Sequence, residues 1–245
     1  MILTPIDDDR LPAVLGRFAA ALGGYSTRAI FDRIARPAAA ARAQAATAAA
    51  HHRDALRVLA DFGMALRPGP PSADFSWDGH GARCETEAFV LLHEAAHFQL
   101  AAPARRRCID FGLGPGPETG KRAAAAGEAR LFGLAREREE AMASLLGILW
   151  EAELGHPALA SFLDQNWLES AGRPAAAAHF RDVLAALIAG GFVTAAGRPT
   201  RRLREAPDAE GGLRQRAARP GKINVYGEAA LIGGRLAPAE PTPQP

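Results

Sequence analysis

The sequence predicts a mainly α-helical protein with short β elements (an α+β class), built around one helix that carries a metal-binding pattern. Three observations lead to this prediction. Apolar residues recur at the spacing of amphipathic helices along most of the chain. Stretches of high helix propensity, rich in Ala and Leu, end at Pro or Gly. One of these stretches, residues 88–102, contains an H-E-x-x-H pattern.

Composition restricts the classes of function that the chain can have. Its 245 residues are 48% hydrophobic, which is enough to bury a core, and 29 basic residues face 27 acidic ones. This balance does not indicate nucleic acid as a partner. The acidic N-terminus, the lack of a long apolar run and the two separated cysteines, Cys84 and Cys108, give no sign of secretion, a membrane or disulfides. We therefore expect a cytoplasmic protein.

The order of elements suggests three parts. Residues 1–50 should form an N-terminal helical extension, with two short amphipathic helices on either side of Gly23-Gly24 and an alanine-rich spacer after them. Residues 51–205 should form the metal-binding catalytic domain. Residues 206–245 should form a C-terminal extension, in which a small strand pair at 222–232 precedes a flexible Pro-rich tail.

Within the central part, the spacing of apolar residues predicts the other elements. A helix over 51–66 should end before the R-P-G-P-P run, and residues 72–83 should form a loop or a short edge strand. Residues 108–111 should be a short extended piece inside an irregular loop. Helices are predicted over 135–154 and 179–188, the first with an apolar face turned to the core.

The H-E-x-x-H pattern supplies the first candidate site residues. On a helix, His93 and His97 lie one turn apart on the same face and can hold one metal ion, with Glu94 beside them. Their predicted neighbours are apolar, so a ligated metal would satisfy rings that are otherwise costly to bury. The alternative is a pair of core-edge histidines that donate hydrogen bonds to backbone carbonyls.

A third ligand must come from elsewhere in the chain. The metzincin pattern is excluded because Pro103 stands at the position of its third histidine. Downstream glutamates are the candidates: Glu118, Glu128, Glu137, Glu139 and Glu140. Glu140 is the preferred one, because it shares a helix face with residues small enough to let another helix approach closely: Ala143, Ser144 and Gly147. Glu137, one turn earlier, is the reserve candidate.

The loop after the metal helix contains further candidates. Asp110 could accept the outer ring N–H of a metal-bound histidine, although a turn or cap role explains it equally well. Arg105 and Arg106 could meet an anionic group of a substrate or an acidic partner surface. A solvated run of charges is the alternative for the arginines.

Four motifs in this order resemble a known family. H-E-A-A-H at 93–97, A-R-R at 104–106, D-F-G at 110–112 and a glutamate-led apolar helix that closes in G-H-P at 155–157 are similar to the elongation factor P hydroxylase family, over about residues 75–203. The resemblance implies an oxidoreductase of monooxygenase type, with non-haem Fe(II), that hydroxylates a lysine-derived side chain on translation elongation factor P.

The resemblance also assigns roles to the candidate residues. His93 and His97 would be metal ligands, Glu94 a catalytic or supporting carboxylate, and Glu140 the acid that completes a 2-His-1-carboxylate set, which suits Fe(II) because it leaves positions open. Two alternatives remain. In one, the metal is zinc and Glu94 is the general base of a metallopeptidase or other hydrolase. In the other, the protein is a helical adaptor with no catalytic metal.

Overall fold

The fold is mainly helical, as predicted. The structure is a computed structural model that describes residues 6–36, 44–168 and 174–208. The described part contains eight α-helices: α1 Leu11–Ala21, α2 Tyr25–Ile34, α3 Gln44–Asp61, α4 Ala88–Leu100, α5 Arg122–Gly127, α6 Gly133–Leu154, α7 Ala158–Asp164 and α8 Pro174–Ala189. It also contains one small sheet, of strands β1 Ala65–Arg67 and β2 Gly81–Arg83.

Helices α4 and α6 pack closely against each other and form the centre of the molecule. Gly147 of α6 lies against the backbone of α4, where a Cβ on this residue would stand 3.3 Å from the Cα of His93. Ala143 and Ser144, also on α6, are fully buried. The small residues of α6 therefore allow the close approach of a second helix that the sequence predicted.

The N-terminal helices α1 and α2 belong to the same core as the central helices. Phe18 of α1 and Phe31 of α2 are fully buried, with ring centroids 4.9 Å apart. Phe18 also makes edge-to-face contacts with Phe162 at 5.8 Å and with Phe180 at 5.8 Å. Helix α3 runs across residue 50. The predicted boundary between residues 50 and 51 therefore marks no break in the structure.

The helix predicted over 51–66 begins earlier, at Gln44, and ends at Asp61. It ends there because Gly63 adopts a left-handed conformation with φ of 72°, and the N–H of Met64 donates to the carbonyl of Leu59 at 3.0 Å. The chain then enters β1, which pairs in parallel with β2, Ala65 opposite Gly81. The edge strand predicted within 72–83 is thus β2.

The C-terminal part of the described chain crosses the end of α4. The side-chain amide of Gln99 donates to the carbonyl of Thr200 at 2.8 Å and to that of Arg202 at 3.0 Å, and its oxygen accepts the indole N–H of Trp150 at 2.9 Å. The predicted strand pair at 222–232 and the Pro-rich tail lie outside the described residues. Among the described helices, none combines the length and the apolar character needed to cross a membrane.

Candidate metal centre

Helix α4 brings two histidine rings to one point. Its sequence has no Gly or Pro from Ala88 to Leu100, so the helix is uninterrupted and places His93 and His97 one turn apart. The Nε2 atoms of the two rings are 2.9 Å apart, and the rings are nearly perpendicular, with an interplanar angle of 87°. Both rings are enclosed: His97 is buried and His93 is half-buried.

Helix α6 adds a carboxylate to the histidine pair. Oε2 of Glu140 lies 3.4 Å from Nε2 of His97, and one ligand atom from each of His93, His97 and Glu140 lies within 4.8 Å of the others. This cluster could hold a metal ion. The reserve candidate Glu137 is not part of it. The structure thus brings together the three preferred ligands from two helices.

The chemical state of these groups fits a divalent cation. Burial, followed by the charge of His97, lowers the pKa of His93 to about 3, so its ring is neutral and has a free lone pair. Burial by itself would raise the pKa of Glu140. The hydrogen bond to His97 and the charges of His97, His93 and Arg136 have the opposite and larger effect, and together they lower this pKa to about 2. Neutral imidazole and an ionised carboxylate are the donors that first-row metals such as iron and zinc accept.

The outer nitrogens of the two rings lack support in the described part of the chain. Nδ1 of His93 and Nδ1 of His97 are buried, and neither has a hydrogen-bond partner there. Metal-bound histidines usually donate this N–H to a carboxylate or a carbonyl. Protein groups therefore fix the rings here by packing rather than by hydrogen bonds to Nδ1.

Glu94 is buried next to the ligands and is surrounded by other acids. Burial raises its pKa well above the usual value, and the charges of Asp110, Glu118 and Glu140 raise it further. In the absence of a cation, burial therefore favours the protonated form of this side chain. A bound cation would act in the opposite direction and favour the ionised form.

Asp110 does not have the role that the sequence suggested. Its carboxylate accepts the hydroxyl hydrogen of Thr119 at 2.7 Å and the backbone N–H of Trp77 at 3.3 Å. Within the described residues it makes no hydrogen bond to His93 or His97. The turn role, which was the alternative, is the one that the structure supports.

The segment around Asp110 is also not extended as predicted. Residues Ile109–Gly112 form a tight turn in which Asp110 has φ of 42° and Phe111 has φ of 54°. Two consecutive left-handed residues other than glycine are strained, at a cost of roughly 1–2 kcal/mol each. The contacts of Asp110 with Thr119 and Trp77 hold this turn in place.

The turn places Phe111 as a wall of the metal centre. The Phe111 ring stacks on His97 with centroids 5.7 Å apart, and on its other neighbour, Trp77, at 5.3 Å. Phe111 is almost fully buried. The sequence does not predict this role, because Gly112 is the only glycine in the turn and the residue type of Phe111 does not favour a left-handed position.

Arg105 is buried and Arg106 is half-buried, and both are engaged by groups of the protein itself, which does not support the predicted contact with a substrate or partner. Arg105 is 3% exposed and forms ion pairs with Glu139 at 2.5 Å and with Asp208 at 2.6 Å. Arg106 donates to the carbonyl of Phe98 at 2.9 Å and lies over its ring. The ion-pair partners of Arg105 lie 34 and 103 residues away, so the local charge run could not identify them.

Comparison of the chain with protein-family models, with curated proteins and with solved structures found no match. The geometry of His93, His97 and Glu140 is therefore the observation on which a function rests.

Proposed function

We propose that this protein is a metal-dependent hydroxylase that binds Fe(II) through His93, His97 and Glu140 and acts on a lysine-derived side chain of translation elongation factor P. The convergence of two imidazoles and one carboxylate on a single point supports the metal part of the proposal. The resemblance of the four sequence motifs supports the choice of reaction and substrate.

The proposed hydroxylation requires open coordination positions on the metal and a site from which water is excluded. Fe(II) held by His93, His97 and Glu140 would supply the activation of dioxygen, because two histidines and one carboxylate would leave coordination positions open. The chain supplies the rest. His93 offers a neutral donor, His97 offers a second imidazole nitrogen, and Glu140 offers the negative charge. Phe111, stacked on His97, excludes water from that side.

The proposed reaction consumes dioxygen, two protons and two electrons, the electrons coming from an external reductant. One oxygen atom enters a C–H bond of the side chain and the other leaves as water. Glu94 is the residue placed to hold or release protons, because its carboxyl is buried beside the ligand cluster and interacts with the charge of Glu140.

Mass spectrometry of elongation factor P tests the proposal. Protein isolated from cells that contain this chain should carry the mass of one additional oxygen atom on its modified lysine, and protein from cells that lack the chain should not. Cells that carry only the His93→Ala variant are the matched control and should resemble the deletion. An unchanged mass in all three would contradict the proposed substrate.

A zinc-dependent hydrolase is the second candidate, and the position of Glu94 favours it. In the H-E-x-x-H arrangement this glutamate can accept a proton from a metal-bound water. The distinguishing measurement is metal identity combined with peptidase assays. One equivalent of zinc, with peptide hydrolysis that is lost in Glu94→Gln while zinc is retained, would favour the hydrolase over the hydroxylase.

A further inference from the structure

A short segment at the end of the described chain, residues 200–208, lies across the C-terminal end of α4. Besides the bonds from the side chain of Gln99, its backbone makes two contacts there. The N–H of Arg204 donates to the carbonyl of Gln99 at 2.8 Å, and the guanidinium of Arg106 donates to the carbonyl of Arg204. We call this segment the strap. It is fastened to the helix that carries the two histidine ligands.

Asp208, at the end of the strap, holds the guanidinium of Arg105. One oxygen of its carboxylate accepts the Nε–H at 2.6 Å, and the other accepts from Nη2 at 3.2 Å. The side chains of Arg105 and Asp208 are only 3% and 7% exposed, so water does not readily replace either partner. A two-point contact between a guanidinium and a carboxylate fixes orientation as well as distance. The strap therefore determines how the Arg105 guanidinium is oriented.

Arg105 in turn contacts a residue beside each of two metal ligands. Its Nη1 donates to the carbonyl of Phe111 at 2.7 Å, and the ring of Phe111 stacks on His97. Its Nη2 pairs with Glu139, which precedes the ligand Glu140 on α6. One guanidinium thus links the strap to both helices of the metal centre.

The orientation of His97 depends on this packing. Within the described residues, its buried Nδ1 has no hydrogen-bond partner, so the stacked ring of Phe111 is what restrains rotation of the imidazole. Phe111 has a left-handed backbone with φ of 54°, a strained conformation that persists only while surrounding contacts hold it. The hydrogen bond from Arg105 to the Phe111 carbonyl is one of these contacts.

From these contacts we infer that the strap sets how firmly the metal centre holds its ion, with Asp208 as a positioning residue that acts through Arg105 and Phe111 on His97. Without Asp208, the guanidinium would lose its two-point contact, and its hold on the turn would loosen. A ligand that is no longer held in its productive orientation binds metal more weakly. The inference rests on the proposed function only in taking the two histidines and Glu140 as a metal site.

Competitive titration of the full chain against a chromophoric chelator, with Co(II) as the probe, tests the inference. Asp208→Ala should bind Co(II) about tenfold more weakly than the unaltered chain, as is usual when a residue that orients a ligand is lost. Glu205→Ala is the matched control, because Glu205 is an exposed acid of the same strap and forms no ion pair within the described residues. Equal affinity in Asp208→Ala and the unaltered chain would overturn the inference.

Two further variants distinguish positioning from a general loss of stability. Asp208→Asn keeps an oxygen that can accept from Nε of Arg105, so it should restore most of the affinity. Phe18→Leu loosens the aromatic contacts of α1 and should leave both the affinity and the absorption spectrum of bound Co(II) unchanged. Asp208→Ala should alter that spectrum, which reports ligand geometry. A loss of affinity in Phe18→Leu equal to that in Asp208→Ala would overturn the positioning role.

Amide hydrogen exchange of the metal-free chain separates this inference from the proposed function. The N–H groups of Phe111 and Leu113 are bonded within the turn, and Asp208→Ala should make both exchange faster. If they do so but the unaltered chain takes up no metal, the proposed function fails while the coupling of strap to turn stands. If metal is bound equally well by both proteins and exchange is unchanged, the strap inference fails and the metal centre stands.

Discussion

At the scale of single residues, buried ion pairs stabilise the segments around the metal centre. Arg105 joins three segments, since its guanidinium pairs with Glu139 of α6 and with Asp208 and donates to the carbonyl of Phe111 at 2.7 Å. It therefore fixes the strained turn at Asp110 and Phe111 relative to α6. Without Arg105, Glu139 and Asp208 would keep only the partly exposed Arg204, whose Nη1 lies 3.8 Å from the first carboxylate and 3.2 Å from the second.

We predict that Arg105→Met lowers the free energy of unfolding by about 3–5 kcal/mol, because Glu139 and Asp208 lose their buried partner. Urea denaturation measures this change. Arg107→Met is the control: Arg107 is exposed, and its replacement should change the stability by less than about 0.5 kcal/mol. A loss below about 1 kcal/mol in Arg105→Met would mean that the network is not stabilising.

Glu151 should make stability depend on pH in a definite direction. Its pKa is about 7 in the folded protein against a usual 4.5, so the folded state holds this proton more tightly than the unfolded state does. The contribution of this proton to the free energy of unfolding is complete below pH 4.5 and is lost as the pH rises to about 7.

Replacement by glutamine removes this titration. We predict that the stability of Glu151→Gln relative to the unaltered chain increases by about 2–3 kcal/mol between pH 4 and pH 8. Urea denaturation of both proteins across this range measures the difference and cancels the contributions of other groups. A difference that is independent of pH would show that Glu151 is not held protonated by burial.

At the scale of elements, the distance between α4 and α6 decides whether three ligands can meet. Gly147 sets that distance, because any side chain there would press on the backbone of His93. We predict that Gly147→Leu lowers stability by about 1–3 kcal/mol and weakens metal binding, since Glu140 moves away from His97. Denaturation and metal titration measure the two effects.

Gly16 is the matched control for a glycine in a helix. It is exposed on α1, and no other group lies within 4 Å of the place that a Cβ would take. Gly16→Ala should raise stability by about 0.5–1 kcal/mol through helix propensity and leave metal binding unchanged. If Gly147→Leu bound metal as tightly as the unaltered chain, the spacing of the two helices would not control the site.

The same elements show what sequence can predict here. The placement of His93 and His97 follows from helical periodicity, which is local, and that of Glu140 from the small residues that follow it on α6. The turn at Asp110 and Phe111 could not be predicted, because it depends on Trp77, 33 residues earlier. Burial of Arg105 depends likewise on Asp208, which is 103 residues later.

At the scale of the whole molecule, the N-terminal helices and the metal centre share one core. Phe18 contacts Phe31, Phe162 and Phe180, so it joins α1 to α2, α7 and α8. We predict that Phe18→Ala lowers the free energy of unfolding by about 3–5 kcal/mol in a single cooperative transition. If residues 1–50 were a separate extension, the main unfolding transition of Phe18→Ala would occur at the same denaturant concentration as that of the unaltered chain.

The central claim, that His93, His97 and Glu140 together hold one metal ion, is tested most directly by the metal content of the protein purified without chelator. Elemental analysis should find roughly one equivalent of a divalent transition metal in the unaltered chain and in the Glu137→Ala control, and almost none in His97→Ala or Glu140→Ala. Equal metal content in all four proteins, or none in any of them after incubation with Fe(II) and Zn(II), would contradict the claim.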